Sequence, residues 1–301
     1  MDTLKPIGSG YVAGHGADFV QFNDRWSQII NLRYDQDGSV YLIDWYDKNQ
    51  CHRSDPDSHD RSNGRVFKVI YQNEKRTNVD LAKRTYMELA QLQTHPNEWQ
   101  ARHARRVLQE RLAKLHSQWA SVSPDAKQNA AAWQQTRDHA FAIVDPILKT
   151  QLAEGKTTAL RLRALLCLHV IEGLDETDLL ELLKDRDAML RGWAIQLLCE
   201  NEKPSAATRG EFARMAREDK SPIVRRYLAS AMARTPIDQR AEVLMGLLSH
   251  AEDATDPNLP HLYWYATEPV VAANKTAAFQ LLAKTKIPKV RQFITRRLAS
   301  K

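Results

Sequence analysis

The stretch Asp185–Cys199, DRDAMLRGWAIQLLC, constrains this chain more than any other. Around Trp193, residues Leu190, Ala194, Leu197 and Leu198 fall at i, i+4, i+7 and i+8. That is the one-sided stripe of an amphipathic helix, which cannot bury its apolar face alone. The same template, an aliphatic residue, an arginine and the stripe behind them, returns at Leu160-Arg161, Val224-Arg225 and Val290-Arg291, with a degenerate copy from Leu259. Positions 160, 190, 224, 259 and 290 lie 30, 34, 35 and 31 residues apart. A second register, Leu183, Ala216, Leu248 and Leu282, recurs after 33, 32 and 34 residues. Two registers with one period predict a stack of helical hairpins over residues 157–301. Ser221-Pro222 and Thr235-Pro236 read as helix starts, because proline is pre-shaped for the first helical position. Asp185 precedes Arg191 by six residues, as Asp219 precedes Arg225. These four residues form a candidate structural ladder of charge-assisted hydrogen bonds linking adjacent repeats, which makes their arginines structural rather than ligand groups. In the last copy Arg297 replaces an apolar residue, which suits a terminal repeat facing solvent.

The first quarter differs in kind. Residues 1–72 hold six of the 11 glycines, at 8, 10, 14, 16, 38 and 64. Phe19–Phe22, Ser39–Asp44 and Gly64–Tyr71 read as strands, and Asp37-Gly38 as a hairpin turn. Three or four strands in a single sheet make an incomplete antiparallel β unit. From residue 73 to 156 the pattern is helical: one helix over Asn78–Gln93, a break at Pro96, a second helix from Asn97 to about Ser121, and a third opened by Ser123-Pro-Asp125 and interrupted at Pro146. Three parts result, 1–72, 73–156 and 157–301, and the chain is mostly α.

Between two of the strands lies the densest polar stretch. Asp44, Asp47, Asp55, Asp57 and Asp60, with His52 and His59, supply oxygen and imidazole ligands that suit Ca²⁺ or another metal if the loop folds back on itself. The spacing matches no strict metal signature, and a polar loop with turn-forming aspartates accounts for the same residues. Trp45 and Tyr46 are candidate binding aromatics, or residues that close a core at a strand end. The helix after Pro96 carries Arg102, Arg105, Arg106, Arg111 and Lys114 with His103 and His116. Such a cluster can bind phosphates, but Glu98 and Glu110 offset it, and a solvated helix face is the preferred reading over nucleic-acid binding.

A net charge of +6 with pI near 9.2 suits an acidic partner without naming one. The cysteines at 51, 167 and 199 lack close spacing, and two lie on predicted apolar stripes, which argues against a disulfide framework. No run of about 18 apolar residues or signal-peptide pattern occurs, so a soluble chain is expected. No nucleophile triad, Gly-rich phosphate loop or zinc signature is present.

The Asp185/Arg191 and Asp219/Arg225 spacing, with its period, resembles HEAT repeats. Four segments read together give a narrower resemblance: Asp37–Asp47, Asn63–Val69, Asp256–Tyr265 and Ile287–Arg291. In this order they are similar to the PVC-type membrane-bound dehydrogenases, which join a sorbosone- and glucose-dehydrogenase-like β-propeller to HEAT-like helices and a C-terminal c-type cytochrome. The resemblance implies a HEAT-like α-solenoid preceded by a unit like the last propeller blade. It implies the cell envelope or periplasm as the location, although no signal peptide marks the chain. The Cys-x-x-Cys-His haem motif is absent, and a pocket built by several blades is not complete here, so no cofactor is expected in this chain. The expected role is a non-catalytic protein-interaction or scaffold module whose partner is another protein or the missing propeller and cytochrome domains. One alternative is a subunit or fragment of a sugar-dehydrogenase-like electron-transfer enzyme, with the Asp44–Asp60 loop completing a site supplied by another chain. A second is a nucleic-acid-binding HEAT-like protein.

Overall fold

The computed structural model describes residues 2–47, 62–72, 78–120, 127–200 and 203–300, with the backbone alone over 114–120 and 127–133. The chain is mostly α, 61% helical, with twelve helices and two small antiparallel sheets among the described residues. Its contacts group residues 18–173 as one compact unit and residues up to 17 with those from 174 onward as a second. This grouping differs from the division read at 72/73 and 156/157: the first two strands go with the C-terminal helices.

In the unit of residues 18–173, β3 (Ile29–Tyr34), β4 (Val40–Asp44) and β5 (Arg65–Val69) form one antiparallel sheet in that order. The predicted hairpin turn at Asp37-Gly38 joins β3 to β4, with Gly38 at φ +85°, where a side chain would be strained. Phe19–Phe22 is not a strand. Phe22 instead sets its ring 5.1 Å from Phe67 of β5, so its apolar character serves packing rather than pairing. Four helices follow, α1 (Tyr86–Gln91), α2 (Glu98–Ala120), α3 (Lys127–Glu154) and α4 (Thr158–Val170). The helix expected over Asn78–Gln93 is broken into α1 and two flanking 3-10 turns. The break sits at Thr85, whose side chain accepts from the Glu88 N–H in a capping box. Pro146 does not interrupt α3; it lies inside it, and buried Val144 and Leu148 on either side hold the helix against the loss of one backbone hydrogen bond. The turn of β3–β4 docks on the start of α2: Asn97 donates to the Asp35 and Gln36 carbonyls at 3.1 and 3.0 Å, and Gln100 donates to the Gln36 carbonyl at 3.0 Å.

In the second unit, β1 (Asp2–Ile7) pairs with β2 (Gly10–His15). Neither strand is legible in the sequence, and with them the β structure makes two sheets, not one. The helices form pairs: α5 (Glu176–Leu182) with α6 (Ala188–Leu198), α7 (Ala206–Glu218) with α8 (Pro222–Ala231), α9 (Ala241–Leu247) with α10 (Leu259–Ala273), and α11 (Lys275–Lys284) with α12 (Pro288–Ala299). Second helices stack in one layer, α6 on α8, α8 on α10 and α10 on α12, while α7, α9 and α11 stack in the other. This is the arrangement the two sequence registers require. Ala194, Ile195, Leu228, Leu248 and Ile294 are all fully buried in one continuous core.

Two glycines separate close approach from empty space. A Cβ at Gly246 would come within 2.8 Å of the Ala216 Cβ and 2.9 Å of its backbone, so α9 lies on α7 only because that atom is missing; at Gly210, exposed on α7, a Cβ would meet nothing within 4 Å. Gly246→Ala is expected to destabilise the chain by about 1–3 kcal/mol, and Gly210→Ala to stabilise it by about 0.5–1 kcal/mol. Urea unfolding midpoints of the two variants check both signs.

Candidate functional site

The candidate ligand loop begins at the end of β4. His52, Asp55, Asp57, His59 and Asp60 lie outside the described residues; Asp44, Trp45, Tyr46 and Asp47 lie within them. Asp44 is 1% exposed and already committed to the protein. One carboxylate oxygen accepts from the Gln28 and Tyr46 backbone N–H groups at 2.7 and 3.0 Å, and the other from the Arg65 Nε at 2.7 Å. Burial opposes ionisation of Asp44, but these donors outweigh it and hold the carboxyl below its ordinary range. Asp47, also 1% exposed, is tied by its backbone to Trp26 and Gln28. Tyr46 sits at φ +56°, uncommon for an aromatic residue, with the Arg65 guanidinium 4.3 Å from its ring centre and Trp26 beside it. Arg65 also donates to Asp24 at 2.9 Å. The cluster therefore closes the end of the sheet, while Trp45 is left exposed. Among the described residues no three His, Cys, Asp or Glu side chains are grouped to hold a metal.

The basic face of α2 is mostly engaged as well. Arg102 donates to the Tyr34 hydroxyl at 3.0 Å, Arg106 pairs with Glu110 at 2.6 Å, and Arg111 donates to the Ala82 and Arg84 carbonyls at 2.8 Å each. His103 stacks on Trp99 with ring centres 4.0 Å apart. A cavity of about 500 Å³ beside the start of α2 is lined by Gln36, Asp37, Arg84, Glu88, His95 and Gln100. Its charges are internally paired, Asp37 with Lys68 and Arg84 with Glu88. Cys167 and Cys199 are buried free thiols, pushed by burial up to about 12 and about 11, which keeps them protonated and unreactive.

The most organised polar feature is the ladder. Arg191 on α6 donates through Nε and Nη2 to both carboxylate oxygens of Asp219, at 2.8 and 2.9 Å, and through Nη1 to the Asp185 carbonyl at 2.8 Å. Arg225 on α8 repeats this one step on, with Asp253 at 2.7 and 2.5 Å and the Asp219 carbonyl at 2.9 Å. The aspartate six residues before each arginine thus offers its backbone carbonyl, and the side-chain partner is the aspartate 28 residues later. Asp253, which closes the second rung, stands 34 residues after Asp219, as Asp219 does after Asp185, but it lacks the arginine six residues on that marks the other two, Leu259 standing there instead. Tyr263 donates its hydroxyl to the same carboxylate at 2.6 Å, and burial with that bond drives its own pKa far upward.

Asp256 holds a different partner. Its Oδ1 accepts from the Asn258 and Leu259 backbone N–H groups at the start of α10 and from the Ser9 hydroxyl at 2.7 Å; its Oδ2 accepts from the Ser9 backbone N–H, also at 2.7 Å. Ser9 lies in the β1–β2 turn, is fully buried, and gives its carbonyl to Arg226 at 2.5 Å. One aspartate therefore anchors the hairpin to the helical stack from 247 residues away.

No protein-family model matches the chain, and no curated protein matches it. Crystal structures of two engineered proteins from the Northeast Structural Genomics Consortium are similar to it, each at 16% identity over 71% of this chain. They are covered over 97% and 94% of their own lengths, with TM-scores of 0.40 and 0.36. No helix among the described residues is long and apolar enough to cross a membrane.

Removing one member of a buried pair strands the other charge. Arg225 and Asp253 are each 2% exposed, so Arg225→Ala is expected to cost about 3–5 kcal/mol, measured by urea unfolding. Arg191→Ala, at a rung more open to solvent, is expected to cost less, about 1–3 kcal/mol. A second expectation concerns acid. Asp44 and Asp256 both ionise more readily in the folded chain than ordinary carboxyls: burial opposes the charge in each, and the hydrogen bonds to it win. Their contribution to stability is complete above an unfolded pKa of about 3.9 and fades as pH falls through the lower folded values. Unfolding midpoints between pH 7 and 2.5 should therefore hold level down to about pH 4 and then fall. Asp44→Asn and Asp256→Asn should each flatten that fall; an unchanged acid limb in both would assign it to other carboxylates.

Proposed function

We propose that this chain is a non-catalytic protein-interaction module, a HEAT-like helical stack carrying propeller-blade-like β structure, of the kind found in membrane-bound dehydrogenases of the cell envelope. One observation carries the reading: both β units present apolar side chains on both faces. On the hairpin, Leu4 and Tyr11 point to one side and Ile7 and Val12 to the other, all more than half exposed. On the three-stranded sheet, Leu32 shares a face with Leu42 and Phe67, while Ile43 and Val66 share the opposite one; Leu32 is 63% and Val66 70% exposed. Small sheets with open edges and two apolar faces gain stability when further β structure covers them. A partner that supplies such cover is what the reading requires, whether another protein or the propeller and cytochrome parts of the resembled dehydrogenases.

The internal engagement of Asp44, Arg65 and Tyr46 supports a structural use of the strand end rather than a reaction centre. The pairing of Arg102, Arg106 and Arg111 within the protein likewise gives the nucleic-acid reading no support.

Two measurements test the proposal together. Purified chain supplied with glucose or sorbosone and an artificial dye acceptor should show no turnover; turnover would replace the scaffold reading with that of an enzyme subunit. Backbone amides of β1, β2 and β3 should exchange with solvent much faster than those of α8 and α10 in the isolated chain, and slow when a propeller domain of the resembled dehydrogenases is added. Strands already as protected as the helices would remove the need for a partner.

A further inference from the structure

The last repeat repeats half of a rung and leaves the other half open. Arg291 on α12 stands in the register of Arg191 and Arg225, and its Nη2 donates to the Thr285 carbonyl six residues earlier at 2.5 Å, where Arg191 and Arg225 use Nη1 toward the Asp185 and Asp219 carbonyls. Thr285 also stands in for the aspartate locally: its hydroxyl accepts from the N–H two residues on, as the Asp185 and Asp219 carboxylates do. The guanidinium is thus tied to its own inter-helix turn, as in the two complete rungs, but through its other terminal nitrogen. What differs is the acceptor. Among the described residues no carboxylate lies against Arg291, which is exposed, and Glu268, the acid near this face, is taken by Arg297 at 2.9 Å.

The surroundings carry one sign of charge. Residues 275–301 contain eight lysines and arginines and no aspartate or glutamate, so this segment exceeds by itself the +6 of the whole chain. Lys284, Lys286 and Lys289 flank the turn that orients Arg291, and all three are exposed. Lys289 donates to His261 at 2.7 Å, leaving no anion there either. A cationic surface attracts any polyanion, but the fork geometry narrows the choice. The same arginine position twice binds a carboxylate with two parallel hydrogen bonds in this protein, and a planar guanidinium tethered at that position is matched to an aspartate or glutamate side chain.

From this we infer that the Arg291 end of the stack is a docking surface for an acidic protein segment, with one carboxylate of that segment completing the open rung and others meeting Lys284, Lys286 and Lys289. This surface is separate from the β units of the proposed function, so either can fail while the other stands.

The test uses the full chain and a fluorescein-labelled oligo-aspartate peptide, followed by fluorescence anisotropy at about 0.1 M salt, where only charges within about 10 Å act strongly. The peptide should bind, and Arg291→Ala should weaken it about tenfold, the loss of one charge-assisted bidentate contact. Arg291→Lys should be nearly as weak, because an ammonium cannot make the fork. Arg296→Ala, which removes an equal charge from the same helix, should change affinity less than about twofold. Arg291 is exposed and makes one hydrogen bond, and unchanged melting of its variants establishes that they are folded. Equal losses at Arg291 and Arg296, full activity of Arg291→Lys, or absence of peptide binding would overturn the inference. Tighter binding of a labelled oligothymidylate than of the peptide would overturn it in favour of a nucleic-acid surface.

Discussion

The two-pronged bond between an arginine of one repeat and an aspartate of the next fixes the register of the helical stack. Apolar stripes are enough to bring helical hairpins together, but the hydrophobic effect is non-directional, and a stack held by it alone is free to slide or rotate by a residue. Arg191 and Arg225 remove that freedom. Each guanidinium spends one edge on the following aspartate and a further N–H on the carbonyl of its own inter-helix turn, so the turn of one repeat and the start of the next are set by a single planar group. Burial makes the constraint strict. With Arg225 and Asp253 both out of water, any misregistered stacking leaves two charges unpaired, which costs far more than the pair itself contributes.

That constraint explains the one irregular repeat. In the regular turn Asp219 does two jobs with one carboxylate: it receives Arg191 from behind and accepts the Ser221 N–H ahead. Between α9 and α10 the chain inserts the 3-10 segment Ala251–Thr255, and the jobs separate. Asp253, in the middle of that segment, takes Arg225; Asp256, just after it, caps α10. Freed from an arginine, Asp256 has an oxygen available, and the Ser9 backbone N–H of the β1–β2 turn occupies it. The extra residues that make this copy look degenerate are what allow the stack to hold a hairpin from the other end of the chain.

Much of this was legible in the sequence, and the reasons are physical. Helix pairs, their period and the buried stripes follow from i, i+3 and i+4 spacing, which is local information. The ladder was visible as a recurring Asp and Arg, but the six-residue interval describes a backbone contact. The side-chain partner lies 28 residues on, where only the packed repeat brings it near. Asp253 keeps the 34-residue spacing of Asp185 and Asp219, but Leu259 stands where an arginine would complete the six-residue pair, so the pattern does not mark it. Strands β1 and β2 carry no strand signature because Lys5, Pro6 and Gly14 interrupt any alternation, and what holds them is a turn bonded 247 residues away. Pro146 works in the opposite sense, since a helix-breaking signal reflects one lost hydrogen bond and not the packing of Val144 and Leu148 around it. In the polar loop, counting ligand-type side chains could not reveal that Asp44 is already saturated by Gln28, Tyr46 and Arg65.

The same accounting shows why residue type alone does not assign a role in such an array. Arg191, Arg225 and Arg291 share register, helix position and a bond to the carbonyl six residues back, made through Nη1 in the first two and Nη2 in the third. Their chemistry diverges only through what stands at the next step: Asp219 for the first, Asp253 with Tyr263 for the second, and no carboxylate among the described residues for the third. A tethering bond without a counter-charge leaves a guanidinium already restrained by the fold, so less side-chain entropy remains to be lost when an anion arrives. In a periodic protein, an arginine that is structural at one step is therefore a binding group at another.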